Sequence, residues 1–219
     1  GNVGRVAIKT AGRIRGGLSH SAAAPLAQSV GCARLGPVSA MKSVIDIRSE
    51  ADIPERWRAT PIGALLRYHD LGSALPMRAK KPELLIGMCM DSRKHLRIPD
   101  NFAFILRTGG ANMRLSEFRV SYAIAVGGVR AIALIGHTNC GMSGLSARRA
   151  LFIAGLVAVG WPRAAAKEHF DRFAPQHEIG PAGEFIRSEA RRLRALYPKV
   201  EVAPLLYRIA ANTIALLRE

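Results

Sequence analysis

The chain has 219 residues, of which 49% are hydrophobic, so it is long enough to form one sizeable core. The charged fraction of 22% argues against wholesale disorder, and the longest apolar run, residues 151–161, is too short to cross a bilayer, so we expect a soluble protein. The net charge of +16 favours anionic partners, but the basic residues are scattered and aromatic residues make up only 6%, which disfavours nucleic-acid binding.

Residues 1–40 differ from the rest because they hold five basic residues and no acidic residue. We expect them to form a basic, poorly ordered leader. Two interpretations stay open: an organelle transit peptide, or a tag or upstream segment that precedes a native start at Met41. The lack of a clear amphipathic helix favours the second interpretation.

Residues 41–80 are predicted to form an N-terminal helical arm. Thr60 is a suitable N-cap, Pro61 suits the first helical position, and Gly72 suits the end of the helix. An apolar stripe follows the helical period, at Ile62, Leu65, Leu66 and Tyr68. This stripe must pack either on the chain's own core or on a partner subunit.

Strands alternate with helices in the rest of the chain, which predicts one α/β domain over residues 41–219. Apolar runs predict strands at 84–88, 102–106, 131–135, 200–209 and 213–217. Periodic segments predict helices at 116–126, 146–159, 164–173 and 184–197. In the helix at 116–126, Phe118, Tyr122 and Val126 share one face. We therefore expect a mostly parallel sheet flanked by helices.

Three soft metal ligands follow two of these predicted strands. Cys89 follows the first strand at 84–88, and His137 and Cys140 follow the strand at 131–135. Parallel strands bring their carboxyl ends to one edge of a sheet, so these side chains should converge. Each one alone is more simply a buried core residue. Two cysteines and one histidine with an open fourth position, however, form a known ligand set for catalytic zinc, and thiol ligands suit a reducing compartment such as the cytosol.

Asp91 and Arg93 lie on the loop that follows Cys89. An aspartate held by arginine stays ionised and oriented, so it could direct zinc-bound hydroxide at an electrophile. Two other roles stay open, a fourth zinc ligand or a simple loop salt bridge. His95 could relay protons, although its polar context favours a solvated loop histidine.

The same motifs resemble the β-class carbonic anhydrases. The resemblance covers about residues 80–141, through Cys89-Met90-Asp91-Ser92-Arg93, Phe104 to Arg107, Tyr122 to Ile124 and Gly136 to Gly141. It implies a mostly parallel sheet, a zinc cofactor held by Cys89, His137 and Cys140, and an Asp91–Arg93 orienting dyad. It also implies intertwined homodimers or higher assemblies, with the N-terminal helices lying on the partner.

The resemblance further implies a carbon dioxide pocket lined by Phe104 and Tyr122. Lys80 occupies the position where the family often has a pocket glutamine, and Lys94 replaces an aliphatic residue. The expected function is zinc-dependent, reversible hydration of carbon dioxide to bicarbonate in the cytoplasm. The alternatives are a hydrolase of carbon disulfide or carbonyl sulfide at the same site, and a non-catalytic zinc- or anion-binding module with a basic surface.

Overall fold

A computed structural model describes residues 44–74, 81–96, 98 and 100–218. The expected leader at 1–40 and the expected pocket residue Lys80 lie outside these residues. The described strands are β1 (Val44–Asp46), β2 (Leu84–Cys89), β3 (Ala103–Thr108), β4 (Ala131–His137), β5 (Glu201–Arg208) and β6 (Thr213–Leu217). The described α-helices are α1 (Glu55–Arg58), α2 (Pro61–Leu71), α3 (Glu117–Ala125), α4 (Arg149–Ala158), α5 (Arg163–His177) and α6 (Ala182–Leu196).

The described strands form one six-stranded sheet in the order β1-β6-β5-β4-β2-β3. The strands β3, β2, β4 and β5 are parallel, whereas β6 and β1 run antiparallel to their neighbours. Both β2 and β4 are buried along their whole length, as expected for apolar strands covered on two faces. The expected α/β fold with a mostly parallel sheet is therefore confirmed.

Helices cover both faces of this sheet. On one face, Trp57, Leu65 and Leu66 from α1 and α2 share a buried cluster with Ile86 and Ile135 of the sheet. On the other face, side chains of α3 and α6 pack in a second cluster, which includes Val120, Ala123, Ile186, Leu193 and Ile132. No helix among the described residues is both long and apolar enough to cross a membrane.

The N-terminal arm packs on its own chain. Thr60 and Gly72 bound α2 as expected, and Gly72 adopts the left-handed conformation at φ 67°. The stripe of Ile62, Leu65 and Leu66 is fully buried in the core beneath α2. The arm also contains a short strand, β1, that the sequence did not predict. The apolar stripe of the arm is therefore buried by the chain's own sheet, and the implication that the arm also lies on a partner stays a prediction.

Candidate metal centre

The strands β2 and β4 are neighbours, and they bring two loops to the same edge of the sheet. Met88 is in register with Ile135, so the carboxyl ends of these strands lie side by side. Cys89 is the last residue of β2 and His137 is the last residue of β4. Cys140 follows three residues later, after a turn in which Asn139 adopts a positive φ of 56°. The parallel sheet thus brings the expected ligands together.

The side chains of Cys89, His137 and Cys140 converge on one point. Their ligand atoms lie within 4.8 Å of one another, and the two Sγ atoms are 4.0 Å apart. All three residues are buried. Two thiolates bound to one tetrahedral zinc ion would be about 3.8 Å apart, given a Zn–S distance of about 2.3 Å. The spacing and the donor set therefore fit a zinc ion.

The hydrogen bonds of His137 leave one ring nitrogen free for a metal. Nδ1 lies 2.9 Å from the carbonyl oxygen of Thr138, which can only accept, so Nδ1 carries the proton. Nε2 is buried and has no hydrogen-bond partner in the described part of the chain. A buried unpaired nitrogen is costly unless a ligand uses its lone pair. This tautomer, fixed by a backbone carbonyl, is the usual state of a metal-binding histidine.

The pKa values of the two thiols shift in opposite directions. The pKa of Cys89 is lowered, first because its sulfur accepts a hydrogen bond from the Cys140 thiol, and also because the backbone N–H of Gly110 donates to it at 3.3 Å. The pKa of Cys140 is raised, because its proton is shared with the Cys89 sulfur and because it is buried. Cys89 is therefore the first thiolate to form, and a cation at this point would deprotonate the second sulfur.

Asp91 and Arg93 form an ion pair beside the thiols. Arg93 Nε and Nη2 donate to the two carboxylate oxygens at 3.0 and 2.6 Å, and the Arg93 backbone N–H donates to Oδ1 at 2.9 Å. Arg93 also donates to the carbonyl oxygen of Asn139 at 3.0 Å, which connects the two loops. The guanidinium of Arg93 holds the pKa of Asp91 well below its usual range. Asp91 Oδ2 lies 3.9 Å from His137 Nε2, so the ionised carboxylate borders the centre.

Phe104 and Tyr122 do not lie at this centre within one chain. Phe104 is in register with Leu85, whereas Thr108 is in register with Cys89. Phe104 is therefore four residues, or about 13 Å, from the carboxyl end of the sheet. Tyr122 is exposed on α3. The expectation that these aromatic side chains line a pocket beside the metal thus stays a prediction that needs a second copy of the chain.

The structure shows two features that spacing alone did not identify, a backbone donor to the Cys89 sulfur and a buried lysine. Gly110, in the turn after β3, donates its N–H to the Cys89 sulfur. Its φ of 65° is a conformation that favours glycine. Lys94 is buried, and burial lowers the pKa of its amino group to about 8. In the sequence, Lys94 was unusual because it stands where the family that the motifs resemble has an aliphatic residue. His95 lines a separate cavity with Tyr68, His69, Gly72 and Asn212.

No protein-family model matches the chain, and no curated protein matches its sequence. Solved structures do match. The carbonic anhydrase of Streptococcus mutans is 21% identical, with 72% of this chain and 95% of that chain covered and a TM-score of 0.51. The carbonic anhydrase of Glaciozyma antarctica is 21% identical, with 74% and 98% covered and a TM-score of 0.50. A β-carbonic anhydrase of Trichomonas vaginalis is 19% identical, with 72% and 95% covered and a TM-score of 0.52.

At these identities the likeness concerns the fold. The solved neighbours include a β-carbonic anhydrase, which belongs to the family that the motifs of this chain resemble. The described part of the chain therefore has the fold of the β-carbonic anhydrases.

Proposed function

We propose that this chain is a zinc enzyme that reversibly hydrates carbon dioxide to bicarbonate. The observation that carries the proposal is the convergence of Cys89, His137 and Cys140 with a free, buried Nε2 lone pair. These residues would hold zinc, which supplies a hydroxide nucleophile at neutral pH by lowering the pKa of bound water. The reaction joins the oxygen of water to the carbon of carbon dioxide by one new C–O bond, breaks one C–O π bond of carbon dioxide and one O–H bond of water, and releases that proton to solvent.

Asp91 would orient the attacking oxygen. Its carboxylate is ionised and bears only acceptor oxygens, so it can accept a hydrogen bond from the attacking hydroxyl group and aim a lone pair at the carbon. Arg93 would fix the carboxylate in place through its two side-chain donors. Asp91 lies outside the set of ligand atoms that are mutually within 4.8 Å, which favours a position beside the metal over a fourth ligand.

A homodimer would complete the substrate pocket. The exposed face of α3 carries Phe118, Tyr122 and Val126, which are 81%, 56% and 63% exposed. The ring of Phe104 on β3 lies beside Gly127, just beyond the end of α3, so this apolar surface is continuous with the edge strand. A second copy packed there would bury these rings and bring Phe104 and Tyr122 toward the partner's centre. The thiol ligands fit a reducing compartment such as the cytoplasm.

The test is to measure metal content and carbon dioxide hydration on one preparation of the full chain, together with Asp91→Ala. We expect about one zinc per chain in both proteins, and a hydration rate in Asp91→Ala that is lower by about 10²-fold, since positioning groups contribute factors of this size. A zinc-loaded wild-type protein without hydration activity would reject the proposal. Sulfide release from carbon disulfide or carbonyl sulfide in that protein would instead identify a hydrolase at the same site.

A further inference from the structure

The loop between α5 and α6 contacts both of the loops that carry the sulfur ligands. Its central residue, Ile179, is only 1% exposed. Ile179 shares a buried cluster with Cys89 and Cys140, and this cluster is distinct from the two clusters that cover the faces of the sheet. The isoleucine therefore packs against the metal centre rather than in the main core.

On one side, Ile179 packs against the turn that donates a hydrogen bond to Cys89. A Cβ atom built on Gly110 would lie 2.7 Å from Ile179 Cδ1, so the isoleucine lies directly against this glycine. Gly110 donates its N–H to the Cys89 sulfur at 3.3 Å. The same turn is tied to the end of α5, because Asn112 Nδ2 donates to the carbonyl oxygen of Gln176 at 3.2 Å. The α5–α6 connection thus supports the backbone donor of the first sulfur.

On the other side, the same loop is joined to the turn that follows Cys140. The backbone N–H of Ile179 donates to the carbonyl oxygen of Met142 at 3.0 Å, and Ser143 pairs with Ile179 in a parallel bridge. Ser143 Oγ also donates to the carbonyl oxygen of Gly180 at 3.0 Å. Within its own turn, the Ser143 N–H donates to the carbonyl oxygen of Cys140 at 3.2 Å. One short segment therefore connects both of the sulfur-bearing loops.

We propose that residues 176–180 form a clasp over the two sulfur ligands, and that Ile179 is a positioning residue that slows the loss of the metal. The clasp rests on the zinc site of the proposed function, since it retains that ion. A zinc–thiolate bond opens when a proton or a competing ligand reaches the sulfur. The apolar side chain of Ile179 keeps water from the sulfurs, and its contacts hold the two turns at a fixed separation.

The experiment compares the release of zinc from wild type, Ile179→Ala and Ile179→Val. The zinc-loaded full chain is mixed with the chromogenic chelator pyridylazoresorcinol, and the rate of zinc transfer is recorded well below the melting temperature of each protein. We expect Ile179→Ala to release zinc about 10- to 100-fold faster, the factor by which loss of a supporting residue typically weakens metal binding. Ile179→Val retains the Cγ2 methyl group that lies near Gly110, so its rate should stay within about threefold of wild type.

Two further variants separate the clasp from general stability. Ile62→Ala is the matched control, because Ile62 is fully buried beneath α2 and the substitution removes the same atoms from a core away from the sulfurs. It should lower the melting temperature but release zinc at the wild-type rate. Ser143→Ala removes only the hydrogen bond to Gly180, so it should fold and still release zinc about threefold to tenfold faster.

The visible absorption of the cobalt-substituted protein supplies a second readout, since it reports the geometry of the metal and its thiolates. We expect the spectrum to change in Ile179→Ala and to match wild type in Ile62→Ala. Zinc release at the wild-type rate from Ile179→Ala, or from Ser143→Ala where the first variant does not fold, would overturn the clasp. Equal acceleration in Ile62→Ala would also overturn it, because the effect would then follow from stability alone. Faster release confined to the clasp variants, in a protein that does not hydrate carbon dioxide, would support the clasp and reject the proposed function.

Discussion

At the scale of single residues, Arg93 determines where the Asp91 carboxylate points. Arg93 binds both oxygens of Asp91 and is itself anchored to the Asn139 carbonyl, on the loop that carries Cys140. It also lowers the pKa of Asp91. These two effects, orientation and ionisation, predict different pH profiles when Arg93 is replaced.

We predict that Arg93→Met lowers carbon dioxide hydration about 10²-fold, by the same factor at every pH from about 6 to 9. Without the arginine, the pKa of Asp91 returns upward toward about 3.9, so the carboxylate is still ionised throughout that range. The lost activity must then come from lost orientation. The measurement is the pH profile of hydration for the zinc-loaded variant and for wild type.

Arg149→Met is the control for this prediction. Arg149 binds Asp171 through Nε and Nη2 at 2.7 and 2.8 Å, so it forms a similar two-point pair away from the metal centre. Its activity should equal that of wild type. A defect in Arg93→Met that grows toward acid pH would contradict our interpretation, because it would mean that Arg93 acts by keeping Asp91 ionised.

At the scale of elements, the turn after β3 supports the first metal ligand. Gly110 has a φ of 65°, and a Cβ atom added there would lie 2.7 Å from Ile179 Cδ1 and 3.2 Å from its Cγ2. The isoleucine is branched at Cβ and adapts poorly to such a contact. The Gly110 N–H, which donates to the Cys89 sulfur, would move with the turn.

We therefore predict that Gly110→Ala lowers the free energy of unfolding by about 1–3 kcal/mol and weakens zinc binding. Denaturant unfolding and a competition titration with a zinc chelator measure the two effects. Gly72→Ala separates backbone strain from the clash, because Gly72 has a similar φ of 67° and no atom within 4 Å of an added Cβ. It should lose stability but bind zinc normally; equal zinc affinity in both variants would contradict the role of the turn.

The elements differ in how well the sequence predicted them. The helix α2 was predicted within one residue, because Thr60, Pro61 and Gly72 are strong local signals for its two ends. The strand β1 was missed, because three residues with one pairing partner, β6, give no periodic pattern. The convergence of the metal ligands could be predicted, because the carboxyl ends of parallel strands lie at one edge of a sheet. The burial of Lys94 could not, because it depends on tertiary packing that no local pattern encodes.

At the scale of the whole molecule, one helical face followed from the sequence, whereas its exposure became visible only in the structure. Phe118, Tyr122 and Val126 share a face of α3, as their spacing predicted, yet this face is exposed in the single chain. The residues Val120 and Ala123 pack against the sheet instead. An apolar face of this kind, next to an edge strand, is unusual for a monomer and indicates a protein–protein contact.

We predict that the chain is a dimer in solution and that Ile105→Lys makes it monomeric. Ile105 is 45% exposed on the edge strand β3, and a lysine there would have to leave water when a second copy packs on this edge. Light scattering during size-exclusion chromatography measures the mass.

Leu196→Lys is the control, since Leu196 is 47% exposed at the end of α6, and it should remain dimeric. Because we expect Phe104 and Tyr122 to reach the metal centre of a second copy, monomeric Ile105→Lys should bind zinc but lose most of its hydration activity. A monomeric, fully active wild-type protein would remove both aromatic residues from the substrate pocket.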